Sequence, residues 1–139
     1  MELIGRISRL ARHFSDEMAK TFAKHGLNSA SFDVLATLRR SGEPHALSPS
    51  DLMATTMVTS GTMTNRIDQL EKAGLVKRRQ NPTDKRAFIV GLTDKGFQLI
   101  DHVVREHVET QHRLVKDLPT DEIEILNSVL RRFLGALDP

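Results

Sequence analysis

The sequence predicts a mainly α fold with a small β-hairpin, and three observations carry that expectation. Apolar residues recur at intervals of three and four over most of the 139 residues, the spacing of amphipathic helices. One helix-entry device repeats: a cap residue lies between apolar residues five positions apart, as in Leu47/Leu52 around Ser48, Leu27/Phe32 around Asn28, Val58/Met63 around Thr59 and Leu92/Phe97 around Thr93. This is the hydrophobic-staple spacing, and each cap contributes roughly 1 kcal/mol. Residues 75–92 break the helical rhythm with two short runs, 75–80 and 87–92, on either side of a six-residue turn.

In chain order, Leu3, Ile7, Leu10, Phe14, Met18 and Phe22 form the apolar stripe of a first helix ending near His25-Gly26. Phe32, Leu35 and Leu38, with Ala36 beside them, give a second helix its buried face. Its stop is signalled by Gly42 after Arg39-Arg40-Ser41. Residues 41–46 are polar and rich in helix breakers, hence a loop. A short third helix opens at Ser48, where Pro49 suits the first helical position and Asp51 can return a bond to the Ser48 amide.

A fourth helix runs from its expected cap, Thr59, to the stop at Gly74. Met63, Ile67 and Leu70 share one face of it; Gly61, Thr62, Asn65 and Gln69 lie opposite, with Arg66 on the flank. Phe88, Val90 and Leu92 alternate with Ile89 and Gly91 as in a strand. A long fifth helix is expected from 94 to about 117, with Phe97, Ile100, Val104, Val108 and Val115 inward. About 24 residues of helix span roughly 36 Å. Leu118-Pro119 ends it, and Thr120 is placed to cap a last helix carrying Ile123, Leu126, Leu130, Phe133 and Leu137.

Helix, turn, helix and a basic-tipped hairpin make a winged helix-turn-helix, which lays its second helix in a DNA major groove. The net charge is only +2, but Lys77, Arg78, Arg79, Lys85 and Arg86 gather at the hairpin against Asp84 alone, while 101–139 is net acidic. Basic charge collected at one hairpin is a footprint for phosphate. Ser60, Thr62, Thr64, Asn65 and Arg66 lie early on the fourth helix, where they can reach base edges or phosphates; Asn suits adenine and Arg suits guanine. Arg86, with Lys85 beside it, is placed to enter a minor groove. Asp84 is expected to hold an arginine by paired hydrogen bonds or to form the turn. Ser48 and Ser50 can present backbone amides to phosphate. The long fifth helix, with the first and last, reads as a dimerisation layer, which would pair two heads on a pseudo-palindromic operator.

Other classes of function find little support. With 39% hydrophobic and 27% charged residues the composition is that of an ordinary folded domain. No apolar run has membrane-spanning length and no signal-peptide pattern opens the chain, so a cytoplasmic, non-membrane protein is expected. The absence of cysteine excludes thiol redox sensing, cysteine catalysis and cysteine-ligated zinc. No catalytic set, phosphate loop or cofactor motif stands out. His102, His107 and His112 are five apart, a spacing that spreads them around the fifth helix, so no metal site is expected from them.

The block 57–76, Met57-Val58-Thr59-Ser60-Gly61-Thr62-Met63 through Lys72-Ala73-Gly74-Leu75-Val76, resembles the MarR family of transcriptional regulators. Asp84-Lys85-Arg86 fits that family's wing pattern, and Leu92-Thr93-Asp94-Lys95-Gly96 its entry to the long helix. The resemblance covers essentially the whole chain. It implies a single MarR-type domain (1–139), with a winged helix-turn-helix at 27–92 and dimerisation helices in 1–26 and 93–139. It also implies a homodimer and repression lifted by a small ligand.

Within the family, Gly5-Arg6-Ile7, residues 32–40 and residues 57–61 look most like the urate-responsive, PecS-like branch. That likeness implies Asp33 and Arg78 as ligand contacts, Arg40 as a partner for Asp33, and Arg66 as a coupling residue. Proteins of the branch have an extra N-terminal helix bearing a tryptophan that contacts the ligand. This chain starts later and has no tryptophan, which argues against urate. The expected effector is a small anionic aromatic compound; the alternative is a constitutive or architectural DNA-binding protein with no effector.

Overall fold

The computed structural model describes residues 1–56 and 58–138; Met57, part of the block compared above, and Pro139 lie outside them. Helices α1 (Glu2–Ala23), α2 (Ser29–Arg40), α3 (Pro49–Thr55), α4 (Ser60–Lys72), α5 (Asp94–Leu114) and α6 (Thr120–Leu137) surround three strands, β1 (Ala46–Leu47), β2 (Val76–Gln80) and β3 (Phe88–Leu92). The sheet is antiparallel in the order β1-β3-β2. The hairpin therefore gains a third strand from the stretch expected to be loop. Ala46 pairs with Gly91 and Leu47 with Val90, a bridge too short to show any alternation in sequence.

Capping works as the side-chain chemistry requires. Asn28 Oδ1 accepts the Ser31 amide at 2.9 Å, Ser48 Oγ the Asp51 amide at 3.1 Å and Thr93 Oγ1 the Gly96 amide at 3.0 Å. Two caps differ from expectation. Thr59 holds the cap position of α4, but its hydroxyl donates to Thr62 Oγ1 at 3.0 Å instead of accepting an amide. The cap of α6 is Pro119, with Thr120 already inside the helix. Helix α5 stops at Leu114, a turn earlier than expected.

The core lies where α2, α3, α4 and α5 meet the sheet. Val34, Leu35, Leu38, Leu52, Val90, Ile100 and Val103 are fully enclosed, and Met63, Ile67 and Leu70 of α4 close it from one side. On α5 the enclosed residue is Val103, with Val104 half-buried, while Val108 and Phe97 are exposed. The expected inward stripe was thus rotated by about one position, because the helix buries its face against α1 and α2 together. Phe22 stacks on Phe32 with ring centroids 4.3 Å apart, locking α1 to α2.

Polar cross-links tie the long helix to the rest. Arg39 Nη2 lies 2.7 Å from Asp101 Oδ1, and Thr21 and Thr110 share a buried hydroxyl bond of 2.7 Å. Gly96 is required by close approach: a Cβ there would stand 2.0 Å from the Leu75 carbonyl oxygen, a backbone atom that cannot swing aside. The fold leaves two helices with open apolar faces. Leu3, Ile4, Ile7 and Leu10 of α1 are exposed, and α6 buries no residue at all while exposing Ile125, Leu126, Val129, Leu130, Phe133, Leu134 and Leu137. Among the described residues no helix is long and apolar enough to cross a membrane.

Candidate nucleic-acid interface

Helix α4 is held in place by its apolar side, and that decides which side it shows. Met63, Ile67 and Leu70 are 1%, 1% and 3% exposed. Ser60, Gly61, Thr62, Thr64, Asn65 and Gln69 all face solvent. Asn65 is mid-helix, where its side chain competes with the backbone and gains nothing from burial. Its carboxamide stands free to form paired bonds with a base edge. Arg66 is half-buried; its Nη1 donates to Gln69 Oε1 at 2.7 Å, and its Nε is enclosed without a bond.

Strand β2 is clamped to this helix by Arg78. Its guanidinium donates to Asp68 at 2.5 Å and to Glu71 at 2.6 Å, its amide donates to Glu71 Oε2 at 3.1 Å, and its carbon lies 5.3 Å from the Phe88 ring centroid. The two carboxylates, Asp68 first, raise the Arg78 pKa above its ordinary value. Bonds from the Arg78 amide and guanidinium hold Glu71 below the usual range. A cation already holding two carboxylates fixes the angle between wing and helix, a structural task the resemblance did not assign to it. Asp68 and Glu71, one helical turn apart on α4, are the partners that reading the hairpin by itself could not supply.

The wing tip is shaped by short side chains. Asn81 Oδ1 accepts both the amide and the hydroxyl of Thr83, and Asp84 Oδ1 accepts the Arg86 amide at 3.0 Å. Of the two roles open to Asp84, the turn-forming one is seen; the paired bonds to an arginine side chain are not formed among the described residues. Lys85 and Arg86 are therefore presented by the backbone, exposed at the tip. Ser48 is engaged as the cap of α3, and Ser50 is exposed on its first turn.

Two of the three residues expected to meet a ligand already hold partners on the helices of this chain. Arg40 Nη2 donates to Thr37 Oγ1 at 3.1 Å on its own helix, Asp33 is half-buried on α2, and Arg78 is taken up by α4. A cleft of about 500 Å³ opens beside β2, lined by Arg79, His45, Thr93 and Phe97 among others. Arg79 is the strand neighbour of Arg78 and so points to the opposite face of the sheet. The signal missed in the sequence was this alternation.

Comparison with known proteins agrees with this geometry. The MarR family pattern matches residues 25–87. The HTH-type transcriptional regulator PecS of Dickeya dadantii is 39% identical over 132 residues, covering 95% of this chain and 80% of that protein. The HTH-type transcriptional regulator MhqR of Bacillus subtilis is 31% identical over 132 residues, covering 95% and 89%. Among solved structures, a mutant of MarR from E. coli complexed with operator DNA superposes with a TM-score of 0.80 at 26% identity, covering 96% of this chain and 94% of that one. With a winged helix-turn-helix built on α3, α4 and the β2–β3 hairpin, this chain belongs to the MarR family of DNA-binding transcriptional regulators.

Proposed function

We propose that the protein is a cytoplasmic, sequence-specific repressor that binds a pseudo-palindromic operator as a homodimer. Residues 27–92 are the reading head, and 1–26 with 93–139 are the dimerisation layer. The observation that carries this reading is the outward polar side of α4, pinned by Arg78 beside a wing tip bearing exposed Lys85 and Arg86. Asn65 and its neighbours on the first turns read bases, the wing cations bind phosphate or a minor groove, and Ser50 adds a phosphate contact.

The open apolar faces favour the dimer. Most helical stability in proteins comes from packing an amphipathic face, and α6 has no buried residue within its own chain. A second copy supplies the missing packing. The two heads then lie about one duplex turn apart, as a twofold operator requires. Selection from a random duplex pool tests this: an enriched inverted repeat is expected, and a pool without twofold symmetry would overturn it.

Release by a small anionic aromatic ligand completes the proposal. Asp33, Arg40 and Arg78 serve it if the ligand displaces Asp68 and Glu71 from Arg78. The cleft beside Arg79 offers a cation, the His45 imidazole and the Phe97 ring without that displacement, and is the favoured seat. Titrating benzoates into the protein–operator complex should release DNA. No release by any anionic aromatic would favour the constitutive DNA-binding alternative.

A further inference from the structure

The three histidines of α5 are too widely spread to act together, but one of them meets a histidine from the turn that follows α1. His25, in the turn after α1, places Nε2 2.7 Å from Glu106 Oε2, and His102 places Nε2 3.2 Å from Glu106 Oε1. The ligand atoms of all three residues lie within 4.8 Å of one another. The two imidazoles meet edge to face, with centroids 5.4 Å apart. Glu106 thus turns one carboxylate oxygen toward each ring. His102 and Glu106 are four apart on α5, so they share one helix face, and the packing of α1 on α5 brings His25 over that face.

We propose that His25, His102 and Glu106 form a binding site for a divalent transition-metal ion of the zinc type. Two imidazole nitrogens and one carboxylate are the donor set that zinc, cobalt(II) and nickel(II) prefer, whereas magnesium and calcium favour all-oxygen sites. Metal–ligand bonds of about 2.0–2.2 Å in tetrahedral geometry set neighbouring donor atoms roughly 3.3–3.6 Å apart. The His102–Glu106 separation is already close to that, and the His25–Glu106 pair needs only a side-chain adjustment. With three protein ligands, a fourth position stays open to water. The ion would strap the end of α1 to α5 beside the groove in which His25 faces Arg66 and Gln69 of α4. The site does not depend on the effector reading.

The competing description is a hydrogen-bonded His-Glu-His group that holds no ion. Zinc titration calorimetry and cobalt(II) absorption on the full chain separate the two. The expected result is one ion per chain, with the intense visible bands of four- or five-coordinate cobalt. His102→Ala should weaken binding at least 10-fold. His102 is 60% exposed, so its loss does not threaten the fold. Glu106→Gln should act likewise, while His112→Ala leaves binding unchanged. Substoichiometric binding, weak octahedral cobalt bands, or affinity unaffected by His102→Ala would overturn the proposal.

Discussion

Helices α4 and α6 both leave one face uncovered, and the chemistry of the two faces is opposite. The open side of α4 carries Ser60, Thr62, Thr64 and Asn65 over a buried row of Met63, Ile67 and Leu70. The open side of α6 is the apolar one, from Ile125 to Leu137, with no buried row behind it. A helix anchored by its apolar stripe has its polar atoms free for a hydrogen-bonding partner such as a base edge. A helix with its apolar stripe in water is waiting for packing, at about 1.5–3 kcal/mol for each large side chain fully buried. One molecule thus presents two sticky surfaces that do not compete, because one is governed by counterion release and the other by apolar burial.

The contrast can be broken most severely at α6. Phe133→Asp puts a charge into the proposed apolar contact, and sedimentation should show monomers. Operator affinity should fall at least ~100-fold, about 2.8 kcal/mol, while the core, to which α6 contributes no residue, remains folded. A dimer surviving this change would place the interface elsewhere.

A sharper and smaller cut separates the two parts of the reading head. Asn65→Ala should cost about 1–3 kcal/mol on the operator and little on random DNA, erasing preference. Arg86→Ala should weaken both DNAs alike and reduce the salt slope by about one. Competition binding at several salt concentrations checks the pair; the reverse pattern would exchange the roles of helix and wing.

The smallest expected effect lies in the layer that joins the two surfaces. His107 packs between Phe22 and Phe32, with centroids 5.2 and 4.8 Å away, and burial lowers its pKa below the ordinary 6.5. A histidine kept neutral by folding takes up protons more readily when unfolded. Its contribution to stability is therefore present above pH 6.5 and declines as the pH falls below that value toward the lowered one. His107→Phe should flatten this part of the stability–pH curve in denaturant melts, and an unchanged slope would assign it to other groups.

What the sequence disclosed and what it withheld follow from range. Asn28, Ser48 and Thr93 act within three residues of themselves, so their caps were legible, and the α4 stripe follows from helical spacing alone. The β1 bridge, the Arg78 clamp on Asp68 and Glu71, and the His25–His102–Glu106 group all join residues distant in sequence or placed by packing. Val103 in place of Val108 in the core is an intermediate case. Helical spacing marks a stripe, but the direction from which α1 and α2 cover it sets its centre. Of the candidate site, the outward polar residues of α4 and the exposed wing cations were readable, whereas the engagement of Arg78 by Asp68 and Glu71 was not, because those carboxylates lie on another element.

Hydroxyl-radical and base-protection footprinting of the protein on its selected operator tests the central claim most directly. Two α4 helices presented in duplicate should protect two major-groove segments centred about 10 bp apart on one face of the duplex, with wing protection in the flanking minor grooves. A single protected segment, or two segments on opposite faces of the duplex, would contradict it.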